Sequence, residues 1–523
     1  MAARLMTLGF VAAFALAATA DADTIGFVER VGTHFEAAGQ PVYYVGASYY
    51  NAMNQASVPA QRPALDAAFG RLQEMGVTNV RIWASSEGAG GAGKLTPSVQ
   101  PSAGVYDEAM LQGLDYALKS AHDHNLRVVM VLTNSWNWSG GMNQYVDWSP
   151  STDKNKTNYS WEQGPRHDQF YTDSNTQAAY RNYVSALANR VNTATGAQYK
   201  NDTSIFSWEL ANEPRCYEPP GGLIAQTVLS NWIANTAAYI KSVDPNHMVT
   251  TGSEGFLDKP GSPYWWERSA DSGADFMLNH ASANIDYATT HIWPYNWTWY
   301  PDPDSDNLTA LYNHATGFLI AHLTAAQSLG KPLVLEEFGL LRDNDHDGNG
   351  QSGGGTTTQR DELYRRYYDI LYASALVRGP AAGSNFWTWL DDPPQEPESM
   401  NAVYLTDNST LDVIRAAAAQ MNGLVTARGD ANGDGQVDGG DLALWQQNYD
   451  PLGLHANTWA MGDWNADGMI DGGDLALWQQ NYDPLGVNAL EALEFSVASV
   501  PEPTAISLVL AGAAVLLSRR RRA

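Results

Sequence analysis

Between residue 24 and about residue 424, eight short apolar runs alternate with longer amphipathic stretches. The runs cover 42–47, 79–84, 127–133, 205–211, 248–252, 288–293, 333–338 and 384–389. Between them lie helix-length segments such as 62–75, 177–192, 228–242, 308–329 and 358–377. Apolar runs of this length read as buried strands, and strands that alternate with helices build a parallel sheet. Eight such units predict an α/β chain whose residues 23–424 form a (β/α)8 TIM barrel. A doubly wound sheet is the alternative. No Gly-rich phosphate turn follows the first run, so nucleotide binding has no support.

The 523 residues carry a formal net charge of −27. That balance excludes nucleic acid as a partner, because phosphate binding needs a basic surface. It suits a neutral substrate or a divalent cation. The 18 Trp and 26 Tyr supply flat apolar faces of the kind that stack on sugar rings, alongside those needed for the core. Cys216 is the only cysteine, so no intrachain disulfide can form. Residues 1–22 have Arg4, an apolar run and small residues at Ala18, Ala20 and Ala22, the pattern of a secretory signal peptide.

In a barrel of this type the chemistry sits at the C-terminal strand ends. The second run carries Arg81 and Trp83. The third leads into Asn134 and Trp136, and the fourth ends at Asn212-Glu213-Pro214. The sixth ends at His291 and Trp293, the seventh at Glu336-Glu337, and the eighth at Trp387 and Trp389. Two carboxylates facing each other among Trp, Asn, His and Arg can cleave a glycosidic bond. One protonates the leaving oxygen while the other attacks the anomeric carbon.

The segments "WELANEPRC" and "LEEFG" resemble glycoside hydrolase family 5 of clan A, in particular its endo-β-1,4-mannanases. "NVRIWA", "NSWNWSGGMNQYVDW", "IDYATTHIWPYNW" and "NFWTWL" follow in the family's order. The resemblance implies a retaining endo-β-1,4-mannanase with Glu213 as general acid/base and Glu337 as nucleophile. Alternation along the strand predicts that the neighbouring Glu336 points away from the pocket. The resemblance further implies that Asn212 binds the sugar 2-hydroxyl and that Arg81 lies by the nucleophile. It implies that His291 bonds within the site and that Trp387 is the sugar platform, with Trp136 and Trp297 as further subsite residues. Trp293 stands where many relatives have Tyr, and "GASYY" where many have Gly-Thr-Asn. An endo-β-1,4-glucanase of the same family is the alternative activity. A non-catalytic glycan-binding scaffold is the alternative class.

The 15-residue stretch 439–453 recurs at 472–486. Each copy ends a loop with oxygen side chains at the spacing that wraps Ca²⁺. The first loop offers Asp430, Asn432, Asp434, the Gln436 carbonyl and Asp441. The second offers Asp463, Asn465, Asp467, the Met469 carbonyl and Asp474. This module, 429–486, resembles a type I dockerin, which implies Ca²⁺ and a cohesin-like protein partner. The acidic stretch 343–350 also begins like a calcium loop, but its twelfth position, Gly354, has no side-chain ligand, so it reads as a plain acidic loop. After a linker, 487–499, residues 500–523 hold Pro501-Glu502-Pro503, an apolar run and Arg519 to Arg522. This tail resembles the PEP-CTERM sorting signal, which implies processing by an exosortase-type protease. The run 505–517 is shorter than the roughly 20 residues of a membrane span. Any membrane contact would be through this tail. Catalysis needs no cofactor in this reading.

Overall fold

The computed structural model describes residues 26–484 except 39, 92–93, 160–161, 260, 263–267, 298, 300–307, 344–354, 392–400, 425–428, 433–435, 456, 458–460 and 465–467. The signal-like segment 1–22, the linker 487–499 and the tail 500–523 lie outside these residues. Among the described residues no helix is long and apolar enough to cross a membrane.

Eight parallel strands form one sheet: β1 (Tyr44–Ser48), β2 (Asn79–Trp83), β3 (Arg127–Val131), β4 (Ile205–Glu209), β5 (Met248–Thr250), β6 (Ala288–Ile292), β7 (Leu333–Phe338) and β8 (Ala381–Phe386). The ladders run β5-β4-β3-β2-β1-β8-β7-β6. No ladder joins β5 to β6. That seam is closed by Asp286 N donating to Val249 O (2.8 Å) and His291 N to Glu254 O (3.2 Å). Threonine hydroxyls add Thr250 to Tyr287 O at 3.0 Å, Thr289 to Ser253 O at 2.9 Å and Thr290 to Glu254 O at 2.8 Å. The eight strands thus close into the TIM barrel that the alternating runs predict.

The helices α1 (Arg62–Glu74), α2 (Glu108–Asp123), α3 (Ser174–Ala188), α4 (Ala225–Val243), α5 (Leu308–Leu329), α6 (Thr358–Leu376) and α7 (Asn408–Gly423) surround the sheet. Their apolar faces and the outward strand residues, among them Leu72, Leu114, Ile233, Leu319 and Leu371, make the main core. Two one-turn helices, Ser269–Ser272 and Phe276–Asn279, stand between β5 and α5.

A second core lies inside the barrel. Tyr44, Val129, Phe206, Met248, Val334 and Ala382 on six strands, with Tyr287 just before β6, make its inner layer. Phe35 closes this layer from below, edge-on to Phe206 at 5.1 Å and to Tyr287 at 5.3 Å. It comes from a three-stranded antiparallel sheet, Val28–Val31, His34–Ala37 and Gln40–Val42, which plugs the bottom. The strand-helix pattern did not foresee this sheet. Its strands are three or four residues long, too short for a clear alternation.

The eighth strand begins earlier than its apolar run suggests, because small residues open it. Gly383 is required there: a Cβ would sit 2.3 Å from the Tyr44 ring.

In the C-terminal module, α8 (Gly439–Gln447) and α9 (Gly472–Gln480) each begin with a reciprocal capping box, Asp438 with Asp441 and Asp471 with Asp474. The repeats interlock reciprocally. Trp445 Nε1 donates to Asp471 O at 3.0 Å, and Trp478 Nε1 to Asp438 O at 2.9 Å. Two repeats therefore complete one small core that neither could close alone.

Candidate active site

Past β4 the backbone keeps bonding to both neighbours: Leu210 N to Thr250 O (2.9 Å), Asn212 N to Thr133 O (2.9 Å) and Glu213 N to Gly252 O (2.8 Å). Glu213 itself has φ 48°, left-handed backbone that a non-glycine residue adopts at a cost. That turn, followed by Pro214 with no N–H, swings the chain out of the sheet and leaves the carboxylate at the mouth. Glu213 Oε1 is 2.9 Å from His291 Nδ1, and Oε2 accepts from Trp136 Nε1 at 2.6 Å.

Arg81, fully buried on β2, is the hub of the site. Its guanidinium binds Glu209 through two contacts of 2.6 Å and donates to Asn212 Oδ1 at 2.8 Å. Its remaining nitrogen donates to Glu337 Oε1. Glu209 was not among the residues singled out from sequence. A lone carboxylate inside the apolar run 205–211 was the available signal, since a buried charge needs a partner.

The alternation argument for Glu336 is corrected by the geometry. Val334 points into the barrel floor, so the inward series is Val334 and Glu336. A register shift against β6 then pairs Leu335 with Thr290 and Glu337 with His291. This bulge turns both carboxylates inward. Glu336 Oε2 lies 3.3 Å from His291 Nε2, and Glu337 Oε2 lies 3.5 Å from His291 Nδ1. The ligand atoms of Glu213, His291 and Glu337 all fall within 4.8 Å of one another.

The aromatic residues divide into two groups. Trp387 is partly open and lies nearly parallel to Tyr50 (5.6 Å between centroids, 13°), edge-on to Trp83 and Trp293. Trp136 is partly open beside Glu213, with the Arg215 guanidinium 5.2 Å from its ring. Trp293 is buried at the mouth. Trp297 is corrected: it is 3% exposed and packs among Phe256, Trp299 and Phe318, so its faces cannot stack on a sugar.

Burial resists ionisation of Glu213, but the hydrogen bond and charge of His291, the Arg215 guanidinium and the Trp136 N–H outweigh it and hold the carboxyl at about 2. Burial raises Glu337 above the ordinary carboxylate value, against the pull of His291 and Arg81. Burial also opposes charge on His291, yet Glu337, Glu213 and Glu336 together raise it well above the usual imidazole value. These shifts favour an ionised Glu213 beside a charged His291.

The calcium-type loops pass a test of fit. Asp441 and Asp474 are fully buried, and Asp430 and Asp463 are 1% and 5% exposed. Residues 429–484 contain no Lys or Arg to balance them. Buried carboxylates in a stretch of sequence that holds no Lys or Arg suit a hard cation. Asn432, Gln436 and Met469 belong to the same loops, while Asp434, Asn465 and Asp467 lie outside the described residues. Asp343 is used otherwise: its carboxylate accepts from Thr358 N (2.9 Å) and Gln359 N (3.0 Å) and so caps α6. Asp345 and Asp347 fall outside the described residues.

Residues 25–391 match the model of the family 5 β-mannosidase-like glycoside hydrolases, and residues 428–482 match that of the type I dockerin domain. Mannan endo-1,4-beta-mannosidase 7 of Arabidopsis thaliana is 35% identical over 400 residues, covering 76% of this chain and 85% of the relative. A solved family 5 mannosidase from Rhizomucor miehei is 31% identical with a TM-score of 0.65, over 76% of this chain and 98% of its own. The endo-1,4-beta-mannanase of the same organism is 26% identical with a TM-score of 0.60, over 76% and 99%. The chain thus belongs to glycoside hydrolase family 5, and it joins a glycoside hydrolase barrel to a type I dockerin domain.

Proposed function

We propose that this enzyme is a secreted, retaining endo-β-1,4-mannanase that works by double displacement. The spacing of Glu213 and Glu337, with side-chain oxygens within 4.8 Å across the barrel mouth, carries the reading. Retaining glycosidases hold their carboxyls about 5–5.5 Å apart, whereas inverting ones need about 6.5–9.5 Å to fit a water.

Glu337 attacks the anomeric carbon while Glu213 protonates the departing oxygen. Arg81 offsets the burial of Glu337 and keeps it ionised. His291 supplies the acid's proton: a bound glycan expels water, and in a drier site a neutral imidazole beside a protonated Glu213 is favoured over the charged pair. Glu213 then serves as base to the water that releases the glycosyl-enzyme. Asn212, oriented by Arg81 and Asn134, meets the 2-hydroxyl, and Trp387 carries the sugar ring.

Purified enzyme on linear mannan is expected to release manno-oligosaccharides of mixed length, with the β-anomer first in the proton NMR spectrum. An α-anomer first would refute double displacement. Faster cleavage of carboxymethyl-cellulose would move the substrate to glucan. A second reading, attack from chain ends, is favoured by the family description and by the Rhizomucor miehei mannosidase. Mannose as the sole early product would establish it.

The dockerin loops would hold two Ca²⁺ through Asp430, Asn432, Asp434, Gln436 and Asp441, and through Asp463, Asn465, Asp467, Met469 and Asp474. Bound there, Ca²⁺ would neutralise the buried carboxylates, and these residues would then present a module competent for a cohesin-like partner. Chelation with EGTA is expected to remove a separate, low-temperature calorimetric transition while mannan cleavage keeps its rate. An unchanged calorimetric trace would argue against calcium. The signal-like N-terminus and the dockerin support an extracellular location, and the sorting tail supports passage through an exosortase-type protease.

A further inference from the structure

Three residues outside the proposed chemistry form a buried line beside it. Ser135 Oγ lies 3.0 Å from His167 Nε2, and His167 Nδ1 lies 3.0 Å from Asp168 Oδ1. All three are fully buried. The order is that of a serine-hydrolase triad, but Ser135 Oγ also accepts from Gln163 Nε2 at 2.7 Å, and an acyl group has no approach to it.

The line belongs to the long loop after β3, and both of its ends bond to the loop after β4 that carries the acid. Ser135 N donates to Asn212 O at 3.0 Å, directly before Glu213, and Ser135 precedes Trp136, whose indole N–H grips Glu213 Oε2. At the other end, Asp168 Oδ2 accepts from Tyr217 N and Glu218 N, both at 2.6 Å, on the loop that leaves Glu213. Tyr171 ties the same loop by donating to Arg215 O at 2.8 Å. The line therefore bolts the loop after β3 to the loop after β4. Between the two bolts lie Glu213 and the indole that aims it.

We infer that Ser135, His167 and Asp168 are positioning residues for Glu213, fixing the Trp136 N–H against its carboxyl. The inference rests on Glu213 being the acid/base. A charged or hydrogen-bonding chain of this kind acts through geometry, and a displacement of about 1 Å in a reacting group can cost on the order of 100-fold.

The test compares kcat/KM, which reports formation of the glycosyl-enzyme, on mannan and on 2,4-dinitrophenyl β-mannobioside. The mannan leaving group needs an acid and the dinitrophenolate does not. Asp168→Asn places an amide N–H against one of the groups that donate to this carboxylate. It is expected to lower kcat/KM on mannan by about 10–100-fold and on the aryl substrate by less than about 3-fold. Ser135→Ala, a smaller change whose unfolding temperature is measured alongside, is expected to show the same split with a smaller mannan loss. Equal losses on both substrates, or no loss on mannan in a folded variant, would overturn the inference. Glu213→Gln serves as the control. If it shows the split and the Asp168 and Ser135 variants do not, only the positioning role fails. If Glu213→Gln itself shows no split, the acid assignment fails.

Discussion

Glu213→Gln is expected to lower kcat on mannan by about 1000-fold, because an amide can neither give up nor take a proton. The side chain keeps its size, and its amide oxygen can still accept from Trp136, so folding and glycan binding persist. With the dinitrophenyl leaving group the first step proceeds, and the glycosyl-enzyme accumulates for want of a base. A kinetic burst followed by slow turnover is the observable. Azide, which needs no base, is expected to restore turnover and yield a β-mannosyl azide. Glu337→Gln behaves differently, with no burst and no β-azide product. Unchanged turnover in Glu213→Gln would remove the proposed mechanism altogether.

Arg81→Met is expected to damage both activity and stability. Glu209, Glu336 and Glu337 share this one permanent cation with Asn212 in a fully buried setting. Removing one partner of a buried ion pair typically costs about 3–5 kcal/mol, because the charges left behind cannot be solvated. The orphaned carboxylates answer by taking up protons, and a protonated Glu337 does not attack. A carboxyl whose folded pKa is raised is destabilising above that pKa, so the variant's deficit grows as pH rises from about 5 to 8. Urea unfolding at several pH values checks the sign. Arg81→Lys restores the charge without the planar fork and is expected to recover stability more than activity. A variant as stable and active as the parent at pH 7 would show that Arg81 is not the counter-charge of the site.

The barrel was readable because its signal is local. Each strand is an apolar run with a polar end, and each loop-borne motif stands a fixed few residues beyond it. Glu213, His291, Glu337 and Trp387 follow from that rule, and the mouth brings them together. The sheet that plugs the barrel floor left no such mark, since its short strands acquire meaning only from what Phe35 packs against. Trp297 looked like the other mouth tryptophans, yet the fold closes Phe256, Trp299 and Phe318 around it.

The sequence by itself determined the eight-unit barrel, the residue types at its mouth and the duplicated cation loops, because strand runs and twelve-residue ligand loops are written in contiguous residues. Only the tertiary structure decided which carboxylates share Arg81, how the bulge on β7 brings Glu336 and Glu337 to one imidazole, and how Ser135, His167 and Asp168 join two loops. Those relations depend on the register between strands and on contacts across up to 256 residues of chain, which no local pattern encodes.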